Sequence, residues 1–300
     1  MKLEALAGCL SSAACAVTQV STALIIGALL FLVASGLSLI FGVLGIINFA
    51  HGGFYMVGAY LAFTAYKLTG SFIVALLAGS LGAAVFGILF ERLVIARVYG
   101  RDLLVQLLVC YALTLILDDG VKLIFGGEYL MMGMPEGFAL PPLQVLGGYI
   151  PGYYVFMVGA ALVAGLLLWF GINRTLIGKK VRALAVNPQM VGVLGVNTTL
   201  IYAGVFGLGS LLAGFAGALA APIRTLTPGI GLGFLIESFI VTVIGGMGSI
   251  GGAFIAALLI GFVRAFGAIG FPWFVDGLMF GLMALVLVVR PTGLLGRKVA

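Results

Sequence analysis

From Ala5 to Tyr66 the chain runs 62 residues without a Lys, Arg, Asp or Glu. A helix crosses the hydrocarbon of a bilayer in about 20 apolar residues, so this one run is long enough for two crossings. The rest of the sequence has the same character: 63% of its 300 residues are hydrophobic and 8% are charged, against about 25% charged in soluble domains. Mean hydropathy is +1.30. The expected fold class is all-α, a polytopic bundle of transmembrane helices forming a single domain over residues 1–300, because a continuous helix satisfies its own backbone in lipid. Glycine, at 47 residues, supplies small surfaces on which helices in lipid can approach closely.

Charge-poor runs recur at residues 20–41, 49–66, 71–91, 103–125, 152–172, 200–221, 230–247, 252–270 and 274–290, which predicts about nine spans, with eight to ten compatible with the spacing. Alternating the loops places Arg92, Arg97, Arg101, Arg174, Lys179, Lys180, Arg182, Arg290, Arg297 and Lys298 on one side. Lys2, Lys67, Lys122 and Arg224 fall on the other. Basic residues concentrate in cytoplasmic loops, so the N-terminus is expected outside and the C-terminus in the cytoplasm. The net charge of +6 is read as this orientation signal and not as a nucleic-acid footprint.

Two interruptions stand out. Gly45, Asn48 and His51-Gly52-Gly53 break the first long run on the side assigned to the cytoplasm, yet no charge holds the turn in water. Irregular backbone at membrane depth survives only inside protein or beside a wet cavity, so burial is expected. A second break, Gly245 to Gly252, includes Gly246 and Gly248; paired Gly-interrupted segments in the two halves of a chain mark transporter repeats.

Chemistry-bearing motifs are scarce. Gly178-Lys179-Lys180 lacks the preceding glycine and the following Ser or Thr of a phosphate-binding loop, so no ATP site is expected in this chain. With His51 as the single histidine, neither an imidazole metal cluster nor a serine triad has its material, and His51 reads as a helix-end hydrogen-bonding residue. No catalytic residue and no metal site are assigned. Lys122 follows Asp118-Asp119 at a spacing that pairs it with either acid. Glu237 and Arg264 lie within neighbouring apolar runs and are expected to pair, because ionisable groups in lipid are costly alone. Cys9, Cys15 and Cys110 show no metal or redox spacing and read as structural. Leu6-Ala7-Gly8-Cys9 has too short a preceding segment for a lipoprotein signal.

Residues 174–199 form the most soluble-looking segment. Basic residues alternate there with Val181, Leu184, Ala185, Met190 and Leu194 at helical intervals, the pattern of an amphipathic helix lying on a partner or a membrane surface. Asn187-Pro188 should break it.

Taken together, Gly42 to Tyr60 with its Ile47-Asn48-Phe49-Ala50-His51-Gly52 core, Gly178 to Asn197, Gly245 to Gly252 and Arg290-Pro291-Thr292-Gly293-Leu294-Leu295-Gly296 resemble the permease subunits of branched-chain amino acid ABC importers. Gly53 stands where members commonly carry an acidic residue. The resemblance implies a second related permease, two cytoplasmic ATPase subunits holding the ATP and Mg that this chain does not bind, a periplasmic solute-binding protein, and a bacterial inner-membrane location. It further implies that Gly178, Lys179, Lys180, Arg182, Ala183, Leu184, Ala185, Asn187, Met190 and Gly195 couple to the ATPase. Leu184 and Met190 would anchor that contact while the basic side chains orient it. Asn48, His51, Gly52, Gly53, Gly246 and Gly248 would lie on the translocation path, with Phe54, Met56 and Tyr60 as apolar walls. Urea, short amides and other amino acids remain alternative substrates, and an ATP-independent channel or secondary transporter using Glu237 and Asp118 is the competing class.

Overall fold

The computed structural model describes residues 3–296. Arg297 and Lys298, two of the cytoplasmic charges counted above, lie outside them. Nine principal helices follow a short first one: α1 (Leu3–Ser11), α2 (Ala13–Leu44), α3 (His51–Thr69), α4 (Phe72–Leu93), α5 (Leu103–Phe125) and α6 (Gly152–Arg174) precede two short helices, α7 (Leu176–Val186) and α8 (Pro188–Val193), and α9 (Thr198–Ala220), α10 (Ile230–Gly245), α11 (Ile250–Gly270) and α12 (Val275–Val289) complete the chain. Each of the nine expected segments contains one principal helix, but among the described residues six, not nine, are long and apolar enough to cross a membrane. The shortfall has local causes. α10 and α12 have 16 and 15 residues, short of the about 20 a crossing takes, and α3 carries His51, Lys67 and three tyrosines.

α2 is the axle of the bundle. From Gly27 to Ile40 every residue is buried, the signature of a helix surrounded by protein on all sides. Ser12 caps its start and Gly45, at φ 69°, ends it by donating its N–H to Phe41 O at 2.9 Å, a left-handed stop suited to glycine. α3, α4 and α9 cross where glycines remove side chains: a Cβ on Gly79 would come 2.5 Å from Gly58 O. By contrast α5 and α6 bury few side chains and present apolar outer faces, including Leu108, Leu115, Leu166 and Leu167, as surfaces against lipid do.

Two features were not legible as elements. Residues 126–151 contain a hairpin, β1 (Leu143–Val145) paired antiparallel with β2 (Gly148–Ile150), whose turn uses Leu146 and Gly147 at positive φ. The same segment is tied to the loop before α10 by reciprocal bonds between Leu130 and Leu226 at 3.0 and 2.8 Å. At the N-terminus Cys9 and Cys15 are bridged across six residues, joining α1 to α2, while Cys110 is free and buried. The structural reading of these cysteines named no pairing; the break at Ser12 between α1 and α2 brings the two Cα atoms to 5.1 Å.

Candidate functional site

Between Gly45 and His51 the backbone leaves the helix, and its polar groups are satisfied locally. Asn48 is fully buried; its Oδ1 accepts the Ala50 N–H at 3.0 Å and its backbone carbonyl accepts the His51 N–H at 3.2 Å. The Asn48 Nδ2 has no hydrogen-bond partner. His51, also fully buried, lies with Nε2 3.0 Å from Val33 O, and since a carbonyl can only accept, Nε2 carries the proton. α3 then starts with no side-chain cap. Gly52 rests directly on the Gly231 backbone of α10, and Gly53 on Leu117 of α5.

Beside this turn is a cavity of about 260 Å³ lined by Leu37, Ile47, Asn48, Phe49, Tyr111, Leu232, Leu235, Ile236, Phe239, Ile240, Phe280 and Met283. Asn48 is the one amide among apolar walls. Of the residues expected on the path, Asn48 lines the cavity, while His51, Gly52 and Gly53 do not and pack against α2, α10 and α5 respectively. Phe54, Met56 and Tyr60, expected as apolar walls of the path, do not line this cavity. All three are buried within the bundle, Phe54 against Phe206 of α9 and Tyr60 against Phe125 of α5. Five of the cavity's twelve lining residues come from α10, four of them at the i, i+3, i+4 and i+7 spacing of residues 232, 235, 236 and 239, a helical stripe readable in the sequence once α10 is placed.

Gly246 and Gly248 lie elsewhere. Gly246 (φ 97°) packs on Gly296 and Gly293, and Gly248 (φ 88°) donates its N–H to Ser38 Oγ at 3.0 Å. The C-terminal segment closes over this turn through Leu294 N to Ile244 O at 2.8 Å and Leu295 N to Gly245 O at 3.1 Å. The second break is a junction of α10, α11, α2 and the C-terminal segment, and it does not border the cavity.

Glu237 of α10 meets Arg264 of α11 in an ion pair whose side chains are 14% and 32% exposed. Lys122 selects Asp119, at 2.9 Å and exposed, whereas Asp118 is turned inward with Oδ1 buried and lacking a partner. Glu91 was not singled out in the sequence, yet its side chain is fully buried and accepts the Tyr99 hydroxyl at 2.7 Å. Burial, and then that hydrogen bond to a carboxylate, push the Tyr99 phenol far above its ordinary range.

The segment 174–199 folds as two capped helices. Thr175 accepts the Gly178 N–H at 3.0 Å, Asn187 accepts the Met190 N–H at 2.9 Å with Pro188 opening α8, and Asn197 accepts the Leu200 N–H at 3.0 Å, the arrangement that cap-forming residues and an N-terminal proline favour. Gly195 leaves α8 at φ 77°. Gly178, Val181 and Leu184 form the face that packs on the chain's own bundle, so Leu184 is unavailable as an outward anchor. Arg182 donates to Ile172 O and is likewise tied inward. Lys179, Lys180, Ala183, Ala185, Val186, Met190, Val193 and Leu194 are exposed.

Residues 19–287 match the family described as the branched-chain amino acid transport system / permease component. The chain belongs to this permease family. It is 33% identical to the high-affinity branched-chain amino acid transport system permease protein BraD of Pseudomonas aeruginosa, and 30% identical to LivH of Escherichia coli K12, in each case over 93% of this chain and 95% of the relative. The permease protein LivM of Salmonella typhimurium is 28% identical over 87% of this chain and 66% of its own. No solved structure matches. The permease is thus a multi-pass membrane protein and a transport component.

Proposed function

We propose that this permease is one half of the translocation path of an ABC importer for branched-chain amino acids, paired with a second, related permease and powered by two cytoplasmic ATPase subunits that carry ATP and Mg. The observation that carries the reading is the aliphatic and aromatic cavity beside an interrupted helix, in a chain whose relatives are named for branched-chain amino acid transport. Leucine, isoleucine and valine are the substrates that such walls suit, because apolar burial contributes roughly 0.8 kcal/mol per CH₂ group. A periplasmic binding protein supplies them. The inner membrane is the location, with the N-terminus periplasmic and the C-terminus cytoplasmic. This orientation draws support from the excess of basic residues in the opposite loops and from the Cys9–Cys15 bridge, since disulfides persist in oxidising compartments.

Reconstitution tests this reading. Proteoliposomes holding both permeases, the ATPases and the binding protein should accumulate leucine in an ATP-dependent manner, and this chain alone should accumulate none. Uptake by the isolated chain against a gradient would replace the ABC reading with an ATP-independent transporter, and uptake of urea or an amide in preference to leucine would move the substrate class.

A further inference from the structure

We propose that the Asn48 side-chain amide, together with the uncapped first turn of α3, holds the carboxylate of the transported amino acid while its aliphatic side chain occupies the adjoining cavity. This rests on the reading of the chain as an amino acid permease and assigns the substrate's orientation within it.

Asn48 has two polar ends, and one is spoken for. Its Oδ1 accepts the Ala50 N–H, which fixes the amide orientation and leaves Nδ2 as the unpartnered end. That end can only donate, so the missing partner is an acceptor; a substrate ammonium could not serve. Leaving a buried donor unpaired is destabilising, and a ligand oxygen would relieve it.

A second donor set lies in the same turn. α3 is 19 residues long, starts buried and has no side-chain cap; the His51 N–H is taken by the Asn48 carbonyl, and the N–H groups that follow it, with the dipole of the helix start, favour an anion. Interrupted helices in transporters direct such ends at anionic substrate groups. The neighbouring walls, Leu37, Ile236, Phe239, Ile240 and Met283, complete the match to a molecule with a carboxylate at one end and a branched hydrocarbon at the other. Asn48 is fully covered in this conformation, so the proposed contact requires a conformation in which Nδ2 is uncovered. Gly52 and Gly231, backbone against backbone, form the seam along which α3 and α10 would part.

The test uses the assembled complex with Phe239→Cys in a Cys110→Ala background, Cys9 and Cys15 being bridged. The rate of thiol alkylation is measured with leucine or with leucinamide, which keeps the side chain and ammonium and lacks the carboxylate. Leucine at saturation should slow the reaction at least fivefold, and leucinamide should leave it unchanged. Adding Asn48→Asp, which keeps the cap acceptor for Ala50 but replaces the donor with an oxygen, should abolish protection by leucine. Equal protection by both compounds, protection surviving Asn48→Asp, or no protection by leucine each overturns the assignment. Should Asn48→Asp prevent assembly, the leucine and leucinamide comparison decides alone. Leucine uptake by the unmodified complex is followed in parallel: absent uptake with intact carboxylate-dependent protection would remove the importer reading and leave this site standing.

Discussion

The His51 ring of α3 lies 3.0 Å from the carbonyl of Val33 on α2, eighteen residues back along the chain. The ring also lies beside the bare backbone of Gly36, where a Cβ would come 3.1 Å from two ring atoms. A carbonyl inside a helix already accepts one bond, so His51 uses its second lone pair to pin the start of α3 against the middle of α2. Neither residue lines the cavity. His51→Ala should therefore cost about 1–3 kcal/mol through the lost bond and the hole left behind, read as a lower Tm of the detergent-solubilised protein. Transport per folded complex should persist. A variant of unchanged Tm that failed to transport would return His51 to the path as a proton carrier.

Glycine positions should divide by what surrounds them. Gly52 touches the Gly231 backbone and Gly246 combines positive φ with contact to Gly296, whereas a Cβ at Gly8 meets nothing within 4 Å. Overpacking costs about 1–3 kcal/mol or more when the obstructing atoms are backbone that cannot move aside. Gly52→Leu and Gly246→Leu are expected to reduce the yield of monodisperse protein severely, and Gly8→Leu to leave it unchanged. Size-exclusion profiles of the three variants decide the point; uniform tolerance would mean that the breaks have no packing role.

The helices were legible where charge and glycine mark their ends: Gly45 and Gly70 stop α2 and α3 in left-handed geometry, and Asn187-Pro188 divides α7 from α8. Asn48 could be singled out because a polar residue in an uncharged apolar run must find a partner. Side-chain direction was not legible. In a helix buried on all sides no periodicity separates faces, so Phe54, Met56 and Tyr60 looked as suited to a path wall as Leu235 or Phe239. Leu184 looked outward for a related reason, since an amphipathic helix has an apolar face but the sequence does not say whose surface it covers. The hairpin at residues 143–150 was hidden by its three-residue strands, too short to show alternation.

Charge exchange tests the pair between α10 and α11. Glu237→Lys or Arg264→Glu alone leaves like charges facing each other, and the loss should fall toward the lower end of the about 3–5 kcal/mol seen when a buried pair is broken, because Arg264 is 32% exposed. The double exchange should recover most of the lost Tm. No recovery would mean that each residue has a separate partner, for which Arg224 stacked over Phe234 at 4.7 Å is the nearest precedent on that side of the bundle.

The segment 174–199 makes the strongest demand on the proposed assembly, because one of its faces is covered by the bundle and the other is exposed. Gly178, Val181 and Leu184 belong to the permease, so Leu184→Asp should damage folding or insertion. The outward apolar positions Val186, Met190 and Val193 are exposed by 85%, 58% and 84% and lie on both sides of the α7–α8 bend. Buried in a groove of the ATPase, each would contribute roughly 1.5–3 kcal/mol, whereas Lys179 and Lys180 would set orientation more than affinity. Met190→Asp and Val193→Asp should leave the permease folded but lose co-purification with the ATPase. Ala185→Trp should retain binding while uncoupling ATP hydrolysis from uptake, since its exposed position places the added bulk in the same contact. ATP hydrolysis stimulated by the liganded binding protein is the measurement. Full stimulation with normal uptake in Met190→Asp and Ala185→Trp alike would leave the segment only its charge, and with it the simpler role of a topology signal.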